Sequence, residues 1–120
     1  MNDLLEQTRD VWANAFFVGN YEELAKHEHE HFKVVYEQEG RIESSYMRYD
    51  RIAHAVQNGV WKPRNPDVEF EEFEYNDQAN ECIVLIGLEQ DKTMIQEWWV
   101  YEGCWKITEL RFLKKKFLLG

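Results

Sequence analysis

The stretch from Val68 to Leu113 reads VEFEEFEYNDQANECIVLIGLEQDKTMIQEWWVYEGCWKITELRFL, and its apolar residues recur with a period of two, the signature of strands. Turn-forming pairs divide it. Asn76-Asp77, Asp91-Lys92 and Glu102-Gly103 separate extended segments at Val68 to Tyr75, Glu81 to Gln90, Thr93 to Tyr101 and Trp105 to Leu113. Strands joined by such short turns run antiparallel. In the first and last segments the alternation slips phase, from Val68 and Phe70 to Phe73 and Tyr75, and from Trp105 and Ile107 to Leu110 and Phe112. A β-bulge explains each slip and lets a sheet curl.

The residues before this region are mostly helical. Leu4, Leu5, Thr8, Val11, Trp12, Ala15 and Phe16 form one apolar stripe, with Asp3 and Glu6 at cap spacing and Gly19 as a stop. Asn20 and Glu23 repeat the capping pattern for a short second helix bearing Tyr21, Leu24 and Ala25. From His31 the period changes to two, with Phe32, Val34 and Tyr36 on one side, and a hairpin turns at Gly40. Ser44 or Ser45 then caps a third helix with Tyr46, Tyr49, Ile52, Ala53 and Val56 on its stripe, ended by Asn58-Gly59; Pro63 and Pro66 mark the crossing into the strands. The order predicts a single α+β domain over 1–120, with helices covering one face of a curved, mainly antiparallel sheet.

Composition narrows the function classes. The chain has 120 residues, 44% hydrophobic and 15% aromatic, enough for one real core. Its net charge of -9 repels a phosphate backbone, and the basic run from Lys106 to Lys116 is too short to reverse that, so nucleic acid is not an expected partner. The acids gather at Asp67 to Glu81, where no Lys or Arg intervenes; such a strand faces a basic one or keeps the surface soluble. No window is apolar enough for a membrane span, and the N-terminus lacks the positive region of a signal peptide, so the expected location is cytoplasmic. Cys82 and Cys104 lack the spacing of a metal knuckle and read as two buried thiols.

Asn20-Tyr-Glu-Glu-Leu, then Phe32-Lys-Val-Val-Tyr and Gly40, a short helix, and finally Tyr101-Glu-Gly-Cys-Trp-Lys-Ile together resemble the NTF2-like superfamily, in its SnoaL-like and DUF4440-like branches. The resemblance runs over nearly the whole chain. It implies a cone-shaped half-barrel, three N-terminal helices packed on a curved sheet around a pocket open at one end, and commonly a homodimer joined through the sheet faces. Members include ketosteroid isomerase, dehydratases, cyclases, hydrolases and non-catalytic carriers, so the fold leaves the chemistry open.

Several constellations invite chemistry. His27-Glu28-His29-Glu30-His31 satisfies H-E-x-x-H, which on a helix aims two imidazoles at one zinc. The second helix is expected to end inside that string, and only His54 remains as a further imidazole, so no metal site is assigned. Ketosteroid isomerase chemistry needs an inward carboxylate base on the hairpin; Phe32 to Tyr36 carries none before Glu37. In the last strand, strict alternation from Trp105 and Ile107 would send Glu109 and Arg111 into the pocket, whereas a bulge would turn them outward and put Leu110 and Phe112 inside. An inward Glu109, or His31, would be a candidate general base, with Arg111 pairing Glu109 or fixing an anion.

The strand from Met94 to Tyr101 is apolar on both faces, which requires cover on both: one face lines a pocket and the other meets a partner subunit or a helix. Trp12, Tyr46, Tyr49, Trp98, Trp105 and Arg111 are the candidate ligand-binding residues. These features point to a homodimer whose aromatic pocket binds a small, largely apolar molecule without a cofactor. The alternatives are a SnoaL-like enzyme performing isomerase-, dehydratase- or cyclase-type proton transfer, and an interaction module with a collapsed cavity.

Overall fold

The computed structural model describes residues 4–89 and 93–113. Three helices, α1 (Leu5–Val18), α2 (Tyr21–His27) and α3 (Ser45–Gln57), accompany six strands, β1 (Glu28–Tyr36), β2 (Arg41–Ser44), β3 (Val68–Tyr75), β4 (Glu81–Leu88), β5 (Met94–Tyr101) and β6 (Trp105–Phe112). The strands make one sheet in the order β2-β1-β6-β5-β4-β3. It is mixed, because β1 runs parallel to β6 while every other neighbour pair is antiparallel. The α+β half-barrel predicted from the sequence is the architecture observed, and the sheet does not close.

Side chains at alternate strand positions meet the helices on the concave face. Phe32, Val34, Val84, Trp99 and Ile107 are buried there against Leu5, Trp12, Ala15, Leu24 and Ile52. Trp12 and Trp99 meet edge to face, with ring centroids 5.6 Å apart. Gly19 ends α1 in the left-handed region at φ 77°. A Cβ there would lie 2.6 Å from Val56 Cγ2 and 2.8 Å from Trp61 Cδ1, so glycine is needed both for backbone and for space.

Both expected bulges exist, one of them displaced. In β6 the register shifts so that Trp99 faces Ile107 but Trp98 faces Glu109, leaving Thr108 as the extra residue. In β3 the irregularity falls between Val68 and Phe70, before the predicted place; Phe70 is consequently opposite Gly87, on the outer face, while Phe73 faces buried Val84.

Other expectations are corrected. β1 begins at Glu28 rather than His31, directly from the last residue of α2. Cys104 is exposed at the turn before β6, and only Cys82 is buried. On α1, Leu4 and Val11 are exposed because the buried face centres on Leu5, Trp12 and Ala15. On α3, Ser44 is the cap, accepting from Met47 N, and the buried residues are Arg48 and Ile52, with Tyr46 and Val56 turned to solvent. The proposed cap Asp3, the turn Asp91-Lys92 and the lysines 114–116 lie outside the described residues.

Candidate functional site

Between the concave sheet face and α1 lies a cavity of about 300 Å³, bounded by Trp12, Phe16, Phe17, Ile86, Ile95, Leu110 and Phe112 with Arg9, Arg48 and Glu97 among them. Its size is at the lower end of small-molecule sites. Arg9, Trp12, Ala13 and Phe16 reach it because three- and four-residue steps put them on one side of α1. Glu97 reaches it because it shares the parity of Ile95 and buried Trp99 on β5. The loop after α3 closes one side. Asn65 and Pro66 line the cavity, and Trp61 pins the loop to α1 by donating to Phe16 O at 2.8 Å.

Two carboxylates are fixed beside this space. Glu28 is fully enclosed: its Oε2 accepts from Trp12 Nε1 and from Arg48 Nη1, both at 2.7 Å, and its Oε1 accepts from Tyr49 Oη at 2.6 Å. The second is Glu97. Arg9 donates to it in bidentate fashion, Nε to Oε1 at 2.6 Å and Nη2 to Oε2 at 3.1 Å, while Trp99 Nε1 donates to Oε1 at 2.8 Å. Arg9 Nη2 also donates to Glu71 Oε2 at 3.1 Å on β3. Burial works against the Arg9 charge, but Glu97 and Glu71 outweigh it and hold its pKa above the ordinary guanidinium value. Burial, reinforced by the Glu28 carboxylate, pushes the Tyr49 phenol well up, so it stays a donor.

Of the residues proposed from sequence, Trp12 lines the cavity and Tyr49 stands behind it, holding Glu28. The others are elsewhere. The β6 bulge turns Glu109 and Arg111 to the outer face, where Arg111 donates to Glu109 at 2.7 Å and to Glu37 at 2.7 Å. His31 and Tyr46 are exposed. Trp98 lies outside, on the wall of an open depression of about 440 Å³ that also involves Ile83, Val100 and Thr108. Trp105 is buried against Tyr75 and Tyr101, away from the cavity.

The histidine string is divided by the boundary between α2 and β1. His27 closes the helix and pairs with Glu23 at 2.9 Å, whereas His29 and His31 stand on the strand. The single helical face that H-E-x-x-H requires is therefore not formed, and the Glu of the motif is the one turned into the core. Among the described residues no group of three or more His, Cys, Asp or Glu could hold a metal ion.

Sequence reasoning missed Arg9, Glu28, Arg48 and Glu97 as a set. Arg9 and Glu97 carried a legible signal, since each shares the spacing of residues assigned to the core. Glu28 did not: it is even-numbered like Phe32 and Val34, but Glu30 between them is exposed, so alternation fails there.

No family profile and no curated protein matches the sequence. Solved structures do. An NTF2-like protein from Cytophaga hutchinsonii ATCC 33406 superposes with a TM-score of 0.69 at 14% identity, covering 93% of this chain and 98% of that one. The fold is NTF2-like. A proposed ketosteroid isomerase from Shewanella frigidimarina NCIMB 400 gives a TM-score of 0.61 at 14% identity, over 89% of this chain and 92% of its own. An uncharacterised protein with a cystatin-like fold from Caulobacter vibrioides gives 0.67 at 11% identity, over 93% and 89%. At these identities the NTF2-like likeness speaks for architecture alone. No helix among the described residues of the NTF2-like domain is long and apolar enough to cross a membrane.

Proposed function

We propose that this NTF2-like domain binds a small, largely apolar molecule in its concave cavity. The observation that carries the reading is a cavity of about 300 Å³ walled mainly by apolar and aromatic side chains, with its buried charges already paired. Binding is favoured over SnoaL-like proton transfer by the state of the carboxylates. Glu28 accepts three donors and Glu97 is held by Arg9 and Trp99, so among the described residues neither buried carboxylate is free to act as a base, and Glu71, partly exposed, is engaged by Arg9. The test is a cavity-filling variant: Ile95→Trp is expected to abolish uptake of small apolar molecules, followed by calorimetry, with an unchanged far-UV spectrum. Equal uptake by the variant and the natural protein would refute the reading.

The outer sheet face supports a second copy of the chain as the partner. Reading across the register, one row runs Lys33, Glu109, Trp98, Ile83, Glu74, and the next Val35, Arg111, Gln96, Leu85, Glu72. Each has one cation on the β1 and β6 side, Lys33 or Arg111, with Glu109 between them, an apolar residue on β4 and an acid at β3; Trp98 stands in the middle of the first row and Gln96 in that of the second. A two-fold axis through the middle lays acidic ends on basic ends and covers Trp98, which is 39% exposed. Sedimentation of the natural protein should give a dimer and Trp98→Glu a monomer; a natural protein that sediments as a monomer at high micromolar concentration would overturn the dimer.

A further inference from the structure

The chemistry of the cavity wall says more about its occupant. Arg48 is 3% exposed and lines the cavity, yet among the described residues it donates a hydrogen bond only through Nη1, to Glu28. A guanidinium carries five N–H groups. Among the described residues no fully buried side-chain nitrogen or oxygen lacks a partner, so the remaining Arg48 nitrogens keep some accessible surface, and Arg48 is one of the residues that line the cavity. The fork is also held still. Its carbon sits 5.4 Å from the Phe16 ring centroid and 5.3 Å from that of Phe32, and Glu28 fixes one end. Beside a largely apolar space, a preorganised guanidinium has N–H groups with no acceptor among the described residues.

Charge decides what acceptor fits. Among the described residues the charges on the wall or bonded to it are two cations, half-buried Arg9 and buried Arg48, and two buried anions, Glu97 and, behind Arg48, Glu28. Their balance is already zero, and Glu71, half exposed on the same wall, tips it negative. A carboxylate ligand would bring a further buried negative charge with no unpaired cation on the wall among the described residues to offset it. A cation would find both buried carboxylates already occupied by Arg9 and Arg48, and only Glu71, partly exposed and itself bonded to Arg9, as a counter-charge. A neutral carbonyl asks for neither: its lone pairs take a hydrogen bond from a charged donor, and no net charge is desolvated.

We propose that the ligand is a neutral molecule with an apolar body and a carbonyl oxygen, and that Arg48 donates to that oxygen. This rests on the cavity being a binding site. The apolar body would lie along Phe16, Ile95, Leu110 and Phe112, and the carbonyl would point toward α3.

Three probes of similar skeleton separate the possibilities: propiophenone, sec-butylbenzene, in which the carbonyl is replaced by a methyl-bearing carbon, and benzoate. Calorimetry is run on the natural protein and on the charge-neutral double variant Glu28→Gln/Arg48→Met. The ratio of ketone to hydrocarbon affinity is expected to fall about tenfold in the double variant, as befits loss of a hydrogen bond from a charged donor. Comparing ratios removes the different water solubilities of the probes. A ratio that does not change, with the hydrocarbon still bound, overturns the carbonyl assignment and leaves the cavity as a binding site. Tightest binding of benzoate overturns it in favour of an anion. Failure of all three to bind the natural protein overturns the assignment and counts against the cavity reading. Should the double variant not fold, infrared spectroscopy of propiophenone on the natural protein decides: the carbonyl stretch is expected below its frequency in hydrocarbon solvent, and an unshifted band overturns the proposal.

Discussion

Two Arg and Glu pairs, on opposite sides of the same sheet, show how far burial changes the meaning of one contact. Arg48 and Glu28 meet at 2.7 Å with side chains 4% and 0% exposed. Arg111 and Glu109 also meet at 2.7 Å, at 31% and 15% exposure. The distances are the same and the energetics are not. The inner pair is almost wholly withdrawn from water, Glu28 completely, and Trp12 and Tyr49 supply the hydrogen bonds that make this tolerable. The outer pair keeps contact with solvent, which screens it and competes for both partners.

Removing one member of each pair should expose the difference most strongly. Arg48→Met leaves the Glu28 charge enclosed without its cation, and is expected to cost about 3–5 kcal/mol in urea unfolding. Arg111→Met should cost at most about 1 kcal/mol. Pairing Arg48→Met with Glu28→Gln is expected to restore much of the loss, because the penalty lies in the abandoned charge rather than in the missing contact. Equal stability of the inner and outer single variants would mean that burial does not separate the two pairs.

The pair formed by Arg9 and Glu97 stands between these extremes, with side chains 13% and 5% exposed. Glu97→Ala removes the acceptor for Arg9 and for the Trp99 indole. A loss of about 2–3 kcal/mol is expected from thermal or denaturant unfolding, smaller than for Arg48→Met because Glu71 still holds Arg9.

Why the sequence exposed the outer pair and hid the inner one is a matter of what periodicity can encode. The elements themselves were legible: β3 was predicted with its observed bounds, and the strand period, Ser44 as a possible cap and the Gly19 stop all correspond to what forms. The phase after Ile107 was not, since a single extra residue, Thr108, decides whether Glu109 or Leu110 faces inward. Arg48 was hidden for a different reason. A charged residue on a helix is ordinarily read as its solvated side, and only a carboxylate arriving from β1 makes its burial possible. That carboxylate is separated from it by twenty residues and sits in a string that reads first as a metal motif. Contacts between elements, and not patterns within them, define the site.

Tyr49 offers a smaller effect with a pH signature. Tyr49→Phe deprives Glu28 of one donor and should cost about 1–2 kcal/mol near neutrality. Burial, and after it Glu28, raise the phenol pKa, so the folded state favours the protonated form. Its contribution is therefore complete below the ordinary tyrosine value of about 10 and declines as pH rises above it, when the unfolded chain can ionise and the folded one resists. The stability gap between the natural protein and Tyr49→Phe should stay constant to about pH 10 and narrow beyond it. A gap that widened with pH would contradict the assignment of Tyr49 as donor.

The smallest effect belongs to Glu109, and it is informative because strict alternation would have made this residue a pocket base. On the outer face it accepts from Arg111 and lies 3.7 Å from Lys33 Nζ. Glu109→Gln keeps the shape and removes the charge, so the expected loss is about 0.5 kcal/mol or less at low ionic strength. Raising the salt should shrink it further, since screening already weakens what the charge contributes. Uptake of apolar molecules should be unchanged, because Leu110 and Phe112, not Glu109, line the cavity. A Glu109→Gln variant with altered uptake and intact stability would mean that β6 carries its other face inward, and the bulge at Thr108 would have to be abandoned along with the contrast between the two pairs.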